Sequence, residues 1–288
     1  MSANEENLLD ITKLSPEQQE EFARAMQEQQ AQQDPFRFLE EEDEKVINNF
    51  NEYLEKAVTT SATKESDLKT RLLHSTCGIV GEINEIIQSN QKQNVEETFT
   101  EIGDVLWYIA EGFDALIKHK PDLVKEHFDK ITSEMRTMEK TDASISDFDS
   151  FITFNISNAN KVYYKVNESN LLNRVSFEEE KFIILSIASS LMEETKKVFF
   201  YNKEVDDKYL INFFITVMNV LHYCQRHCNI FISMFNGKEE YRDNIIFNIA
   251  NANIKKLEAR YSNKEFTEEE ANNRDYQKES EAANLKGE

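Results

Sequence analysis

The chain is short of the residues that punctuate a fold. Its 288 residues include 6 Gly and 3 Pro, too little turn chemistry for a protein of hairpins and short strands. Cysteine is scarce too: Cys77, Cys224 and Cys228 are odd in number and poorly spaced for a disulfide scaffold, which points to a reducing compartment. The longest apolar run, FIILSIASSLM at 182–192, is too short to span a bilayer. The opening MSANEENLLD has neither the basic nor the apolar region of a secretory leader. Basic runs are also missing, and the net charge is −21. Such a chain repels nucleic acid and anionic membrane surfaces, so neither is an expected partner. Together these absences predict a soluble, cytoplasmic protein. An anionic substrate would require a local counter-charge, such as a bound cation.

What is present reads as helix. Glu, Gln, Lys, Leu, Ala and Asn dominate, and apolar residues recur at helical spacing, so the predicted class is all-α. Residues 1–40 form an acidic, Gln-rich arm, in which Ser15 and Pro16 open a helix that Pro35 ends. From about Glu41 the pattern becomes regular. A first helix carries Val46, Phe50, Tyr53, Leu54 and Ala57, and a second runs from about Asp67 to Gln88. After the turn SNQKQN, Asn94 and Glu97 have the spacing of a capping box for a third helix reaching about Lys118. Pro121 starts a fourth to about Lys140, and others are expected near 147–167, 177–201, 207–235, 239–262 and 267–283.

An internal repeat is visible in this series. FNISNAN (154–160) and FNIANAN (247–253) agree at six of seven positions, and DVLWY (104–108) pairs with NVLHY (219–223) in the same order. The spacing predicts two related helical halves, 41–167 and 168–288, the second with its matched helices at 177–262 followed by a tail.

The chemistry-bearing pattern lies in the first half. Glu82 and Glu85 are three apart and share a helix face; Glu101 and Asp104 repeat the spacing on the next helix. A short turn makes the two helices antiparallel, so the pairs can face each other. Four converging carboxylates repel and raise one another's pKa values. Magnesium, a hard cation that favours carboxylate oxygen, removes the conflict, with manganese as a substitute. Such a cluster can hold a cation against a polyphosphate and activate water. Acidic pairs at this spacing also occur on solvated helix faces. Against that, apolar residues flank these acids, and Gly78, Gly81, Gly103 and Gly112 cluster with them. A mid-helix Gly costs about 1 kcal/mol relative to Ala, which makes sense where helices, or a helix and a ligand, approach closely.

GIVGEINEII (78–87) followed by EIGDVLWYIAEGFDAL (101–116) resembles the MazG-like all-α nucleoside triphosphate pyrophosphohydrolases, which include the dimeric dUTPases and dCTPases. The family signature is Glu-x-x-Glu, a spacer, then Glu-x-x-Asp. YLEKAVTTSA (53–62) is similar to the family's opening helix, and the segment from NANIKKLEARY to NNRDYQKE (251–279) to the closing segment of phage and bacterial members. The resemblance implies magnesium-dependent cleavage between the α and β phosphates, giving a nucleoside monophosphate and pyrophosphate. It makes Glu82, Glu85, Glu101 and Asp104 metal ligands, with one of the glutamates orienting the attacking water. It makes Lys256 and Arg260 phosphate contacts, with Tyr261 beside them; a solvated basic patch is the other reading of these residues. It also places the protein in the cytoplasm of a bacterium or an infected host cell, which the Asn- and Lys-rich composition suits.

The second half departs from the signature. The repeat puts Thr216 and Asn219 where Glu101 and Asp104 stand, and Glu193 and Lys196 where Glu82 and Glu85 stand. In the other direction, Tyr163 and Asn167 fall opposite Lys256 and Arg260. Family members commonly build sites between two subunits. The expectation is therefore a fused pseudo-dimer with one site, acids from the first half and cations from the second; a homo-oligomer remains open. Asn155, Asn158, Asn160 and their copies Asn248, Asn251 and Asn253 either contact phosphate or base, or bond helices together at the seam. Cys224, His227 and Cys228 share a helix face as in a zinc site, but no second ligand motif follows. The rival to an enzyme is a nucleotide-binding or protein-interaction module that kept the fold and lost turnover.

Overall fold

The computed structural model describes Phe36 and residues 45–139, 144–168 and 177–283. Ten α-helices and no strands occur among these residues. They are α1 (Phe50–Thr59), α2 (Leu68–Lys92), α3 (Val95–His119), α4 (Pro121–Glu139) and α5 (Phe148–Glu168), then α6 (Phe177–Phe200), α7 (Asp207–Met234), α8 (Tyr241–Arg260), α9 (Glu268–Asn272) and α10 (Tyr276–Ala282). No helix is long and apolar enough to cross a membrane among the described residues.

Local chemistry explains most of the boundaries. Asn49 caps α1 by accepting from Glu52 N, and Asp67 caps α2 by accepting from Lys69 N and Thr70 N. Asn94 Oδ1 accepts from Glu97 N at 3.1 Å, while its amide donates to Glu97 Oε2 at 3.0 Å. The capping box thus closes through two side chains, because the Asn94 N–H is already given to Ser89 O. Three boundaries differ from the sequence reading. Val46 precedes the first helix, which starts only where Asn49 supplies a cap. Helix α2 continues through the expected turn to Lys92, since Gln93 takes the left-handed conformation (φ 57°) and reverses the chain with Asn94. The closing 267–283 helix is two short ones, each with its own cap, Thr267 and Asp275. Of the arm, only Phe36 is described: it is buried, its ring 5.9 Å from those of Phe99 and Tyr241. The Ser15–Pro35 helix, and the side chains of Tyr163 and Asn167, lie outside the described set.

One hydrophobic core joins both halves of the sequence. At its centre Phe113 of α3 meets Phe148 at 4.9 Å, Phe151 at 5.2 Å, Phe214 at 5.3 Å and Phe213 at 5.6 Å, joining α3, α5 and α7. Helices α2 and α3 form the most extensive pair, and α2 also packs along α6. Across the halves, α3 lies against α8 and α7 against α5.

Three glycines in or beside this core sit at close approaches. A Cβ on Gly112 would come 2.5 Å from Ser75 Oγ and 2.8 Å from the Phe213 ring; one on Gly103 would come 3.0 Å from Asn253 Cβ; one on Gly78 would overlap the Tyr108 ring. Gly81 is different: nothing lies within 4 Å of its missing Cβ. Gly112→Ala is therefore expected to destabilise by about 1–3 kcal/mol through overpacking. Gly81→Ala should stabilise by up to about 1 kcal/mol through helix propensity. Denaturant unfolding of the two variants measures the contrast.

Candidate metal and phosphate site

The α2–α3 hairpin fixes the acids by symmetry about its turn. Glu85 and Glu101 lie eight residues either side of Gln93, and Glu82 and Asp104 eleven, so at equal rise per residue the members of each pair stand at one height. One carboxylate oxygen from each of Glu82, Glu85 and Glu101 lies within 4.8 Å of the others. Glu85 is exposed; Glu82 and Glu101 are half-buried. Burial, then the charges of Asp104, Glu101 and Glu85, pushes the Glu82 carboxyl up to about 9. Burial and Asp104 push Glu101 up to about 7, with Lys256 opposing. Hydrogen bonding between the two adds to the rise at Glu82 and opposes it at Glu101. Three hard oxygen donors brought this close fit a hard divalent cation.

Asp104, the fourth residue expected among the metal ligands, lies outside this trio. Its two oxygens accept from Lys256 Nζ at 2.5 and 2.6 Å, and Oδ1 also accepts from Asn253 Nδ2 at 2.8 Å. Asn253 Oδ1 in turn accepts from the buried Tyr53 hydroxyl at 3.0 Å. The absence of a side chain on Gly103 lets Asn253 reach this position. A buried ammonium needs a paired anion, and Asp104 is the one α3 offers to Lys256 of α8.

The second expected cation is also engaged. Arg260 donates to Glu279 from Nε at 3.0 Å and from Nη2 at 2.7 Å. Arg274 grips the same carboxylate at 3.2 and 2.7 Å. Both guanidiniums hold the buried Glu279 carboxyl below its ordinary value. Arg260 and Arg274 also line a cavity of about 230 Å³ with Glu82, Asp104, Tyr108 and Tyr261. Tyr261 is buried, with the Arg260 guanidinium 5.8 Å from its ring centre. A larger groove of about 800 Å³, walled by Glu101, Lys256, Arg274 and Tyr276, lies on the other side.

The asparagines divide. Asn251 Oδ1 accepts from Val46 N and Ile47 N at 2.8 and 3.3 Å, tying the lead-in strand of chain to α8. Asn160 accepts from Gln225 and Asn229 at 2.9 and 3.0 Å and bonds α5 to α7. Asn158, on the half-buried side of α5, lines neither space. Asn253 is the asparagine that reaches the acids among the described residues, through Asp104. In the second half, Glu193 and Lys196 form an exposed ion pair at 2.5 Å, and Asn219 bonds its own helix at Ile215 O. Cys224 and Cys228 are buried thiols pushed up by desolvation, and His227 is bonded to Asn90 at 2.9 Å. These three are not among the candidate metal-binding clusters of the described residues. Sequence reasoning passed over Arg274, Glu279 and His74. The first two lie inside the closing segment already singled out, but only the fold shows that α10 returns to α8.

No protein-family model, curated protein or solved structure matches the chain.

Between the ordinary glutamate value of 4.5 and the raised values of about 7 and 9, the folded chain holds protons that the unfolded chain has released. Stability contributed by these groups is complete below about 4.5, falls as pH rises, and levels off above about 9. Metal-free protein should therefore melt at a lower temperature at pH 8.5 than at pH 6.5. Adding magnesium should reverse the loss, and Glu82→Gln should flatten the slope; calorimetry across the pH range reads all three.

Proposed function

We propose that the chain is a magnesium-dependent nucleotide pyrophosphohydrolase that cleaves a (deoxy)nucleoside triphosphate, or a related nucleotide, between the α and β phosphates. The observation that carries the reading is the convergence of Glu82, Glu85 and Glu101 beside a cavity rimmed by Arg260 and Arg274. Glu82, Glu85 and Glu101 are the residues that would hold the cation. When bound, magnesium supplies charge neutralisation for a phosphate chain and lowers the pKa of an attacking water. Glu82 and Glu85 provide the catalytic carboxylates, one of them orienting that water and accepting its proton. Arg260 and Arg274 bind phosphate oxygens in the planar, two-pronged manner of guanidinium. Lys256 fixes Asp104 and brings positive charge to the α3 wall.

The crossed packing of α3 on α8 and α7 on α5 supports the further proposal of a tandem duplication folded as an internal pseudo-dimer. In that arrangement one half furnishes the acids and the other the cations. The chemistry of the second half, with Lys196 beside Glu193 and a self-bonded Asn219, supports a single working site.

A second reading, a nucleotide-binding module without turnover, is favoured by one observation. Asp104 and Arg260, both expected at the ligand, are each engaged by a partner within the chain.

Pyrophosphate release from a panel of nucleoside triphosphates with magnesium separates the two. Wild-type protein is expected to release it, chelation to stop it, and Glu85→Gln to slow it by about 10²–10⁴-fold. The Lys256→Ala, Arg260→Ala double variant should lose activity as well. Tight binding without release would favour the module, and neither binding nor release would overturn both readings.

A further inference from the structure

His74 belongs to none of the acid or basic patterns, yet it lines the 230 Å³ cavity with Glu82, Trp107 and Tyr108. Its ring stands edge-on to Trp107 at 5.7 Å and to Tyr108 at 5.4 Å. One side of the ring is fixed by a chain of bonds running into the protein. His74 Nδ1 lies 3.1 Å from Thr63 Oγ1, and Thr63 Oγ1 donates to Glu111 Oε1 at 2.7 Å. Glu111 is buried and held by Arg71 at 2.9 and 3.1 Å, and Arg71, itself fully buried, also reaches Asp114 at 2.7 Å.

This chain decides where the imidazole proton sits. A hydroxyl has one proton and two lone pairs. The proton of Thr63 goes to Glu111, whose carboxylate pairs with Arg71. Thr63 can therefore only accept from His74, while Ser61 Oγ, 3.2 Å away, can fill its second lone pair. His74 carries its proton on Nδ1. Burial holds the imidazole below its ordinary pKa, and in the neutral ring a proton on Nδ1 leaves a lone pair on Nε2. That atom cannot serve a phosphate, whose oxygens are acceptors; it matches a neutral N–H or O–H donor.

We propose that His74 is a specificity-determining residue whose Nε2 accepts a hydrogen bond from the nucleoside part of the substrate, a base amine or a sugar hydroxyl. This rests on the nucleotide reading above and adds to it a division of the cavity. Arg260 and Arg274 take the phosphates, and His74, set nearly perpendicular to the rings of Trp107 and Tyr108, reads the uncharged end. The Arg71–Glu111–Thr63 series acts through His74 as a positioning chain, which gives a use to charges that are costly to bury.

Paired substrates identify the donor. CTP against UTP and ATP against inosine triphosphate exchange an amine for a carbonyl, and each ribonucleotide against its deoxy form removes a hydroxyl. Wild-type enzyme should prefer the donor-bearing member of one kind of pair, which tells base from sugar. His74→Phe should lower kcat/KM for that member by about 10- to 100-fold and leave the other nearly unchanged. Equal losses on both members, or hydrolysis with no preference in any pair, would overturn the proposal. Nitrogen-15 spectra of the histidines read the tautomer without any ligand: Nδ1–H is expected for His74, and Nε2–H would overturn the acceptor. If His74→Phe does not fold, Thr63→Val keeps the proposal open to test. It lies behind the ring, and should mix the tautomers and weaken the same preference. A panel that is neither bound nor hydrolysed would overturn the nucleotide reading and the ligand assigned here with it, while the spectra still judge the tautomer.

Discussion

Repulsion among carboxylates on the α2–α3 hairpin is the constraint around which the site is arranged. Two helices joined by a two-residue reversal bring Glu85 level with Glu101 and Glu82 level with Asp104. The chain answers in two ways. Burial and mutual repulsion raise the pKa values of Glu82 and Glu101, and a buried lysine is spent on Asp104. The first favours protonation of two acids of the trio; the second gives the fourth acid a partner. The glycines serve the same arrangement. Gly103 admits Asn253 to the α3 surface, and Gly112 admits Ser75 and Phe213 farther along.

Charge balance around the cavity is therefore settled by helices remote in sequence. Lys256 and Asn253 come from α8, Arg274 from the turn between the two short helices beyond it, and Glu279 from the second of them. A single carboxylate between two guanidiniums keeps Arg260 and Arg274 together at the rim. Each bracket is charge-assisted and the strongest kind of side-chain bond available, so the rim is rigid while the outer glutamate, Glu85, stays exposed.

Much of this was legible in the sequence. Helical periodicity and the lack of Gly and Pro gave the class, and Asp67 and Asn94 marked helix starts because a short oxygen-bearing side chain is what an open N-terminus requires. The trio Glu82, Glu85 and Glu101 followed from i, i+3 spacing on either side of a turn. Asp104 shared that spacing but not that fate. Spacing says which face a side chain takes, whereas its partner depends on a helix about 150 residues away. Gly81 marks a different limit: glycine at a close approach and glycine facing open space are identical letters. His74 was missed because its meaning lies in the proton order of Thr63 and Glu111, contacts that no local pattern encodes.

The separation of Asp104 from Lys256 by 152 positions has a consequence for synthesis. At about 5–20 residues per second, Asp104 is made roughly eight to thirty seconds before its counter-charge exists. During that interval Phe113 also lacks Phe213 and Phe214. The counter-charge of the hairpin and the rings that complete the core around Phe113 are thus both supplied by the last third of the chain.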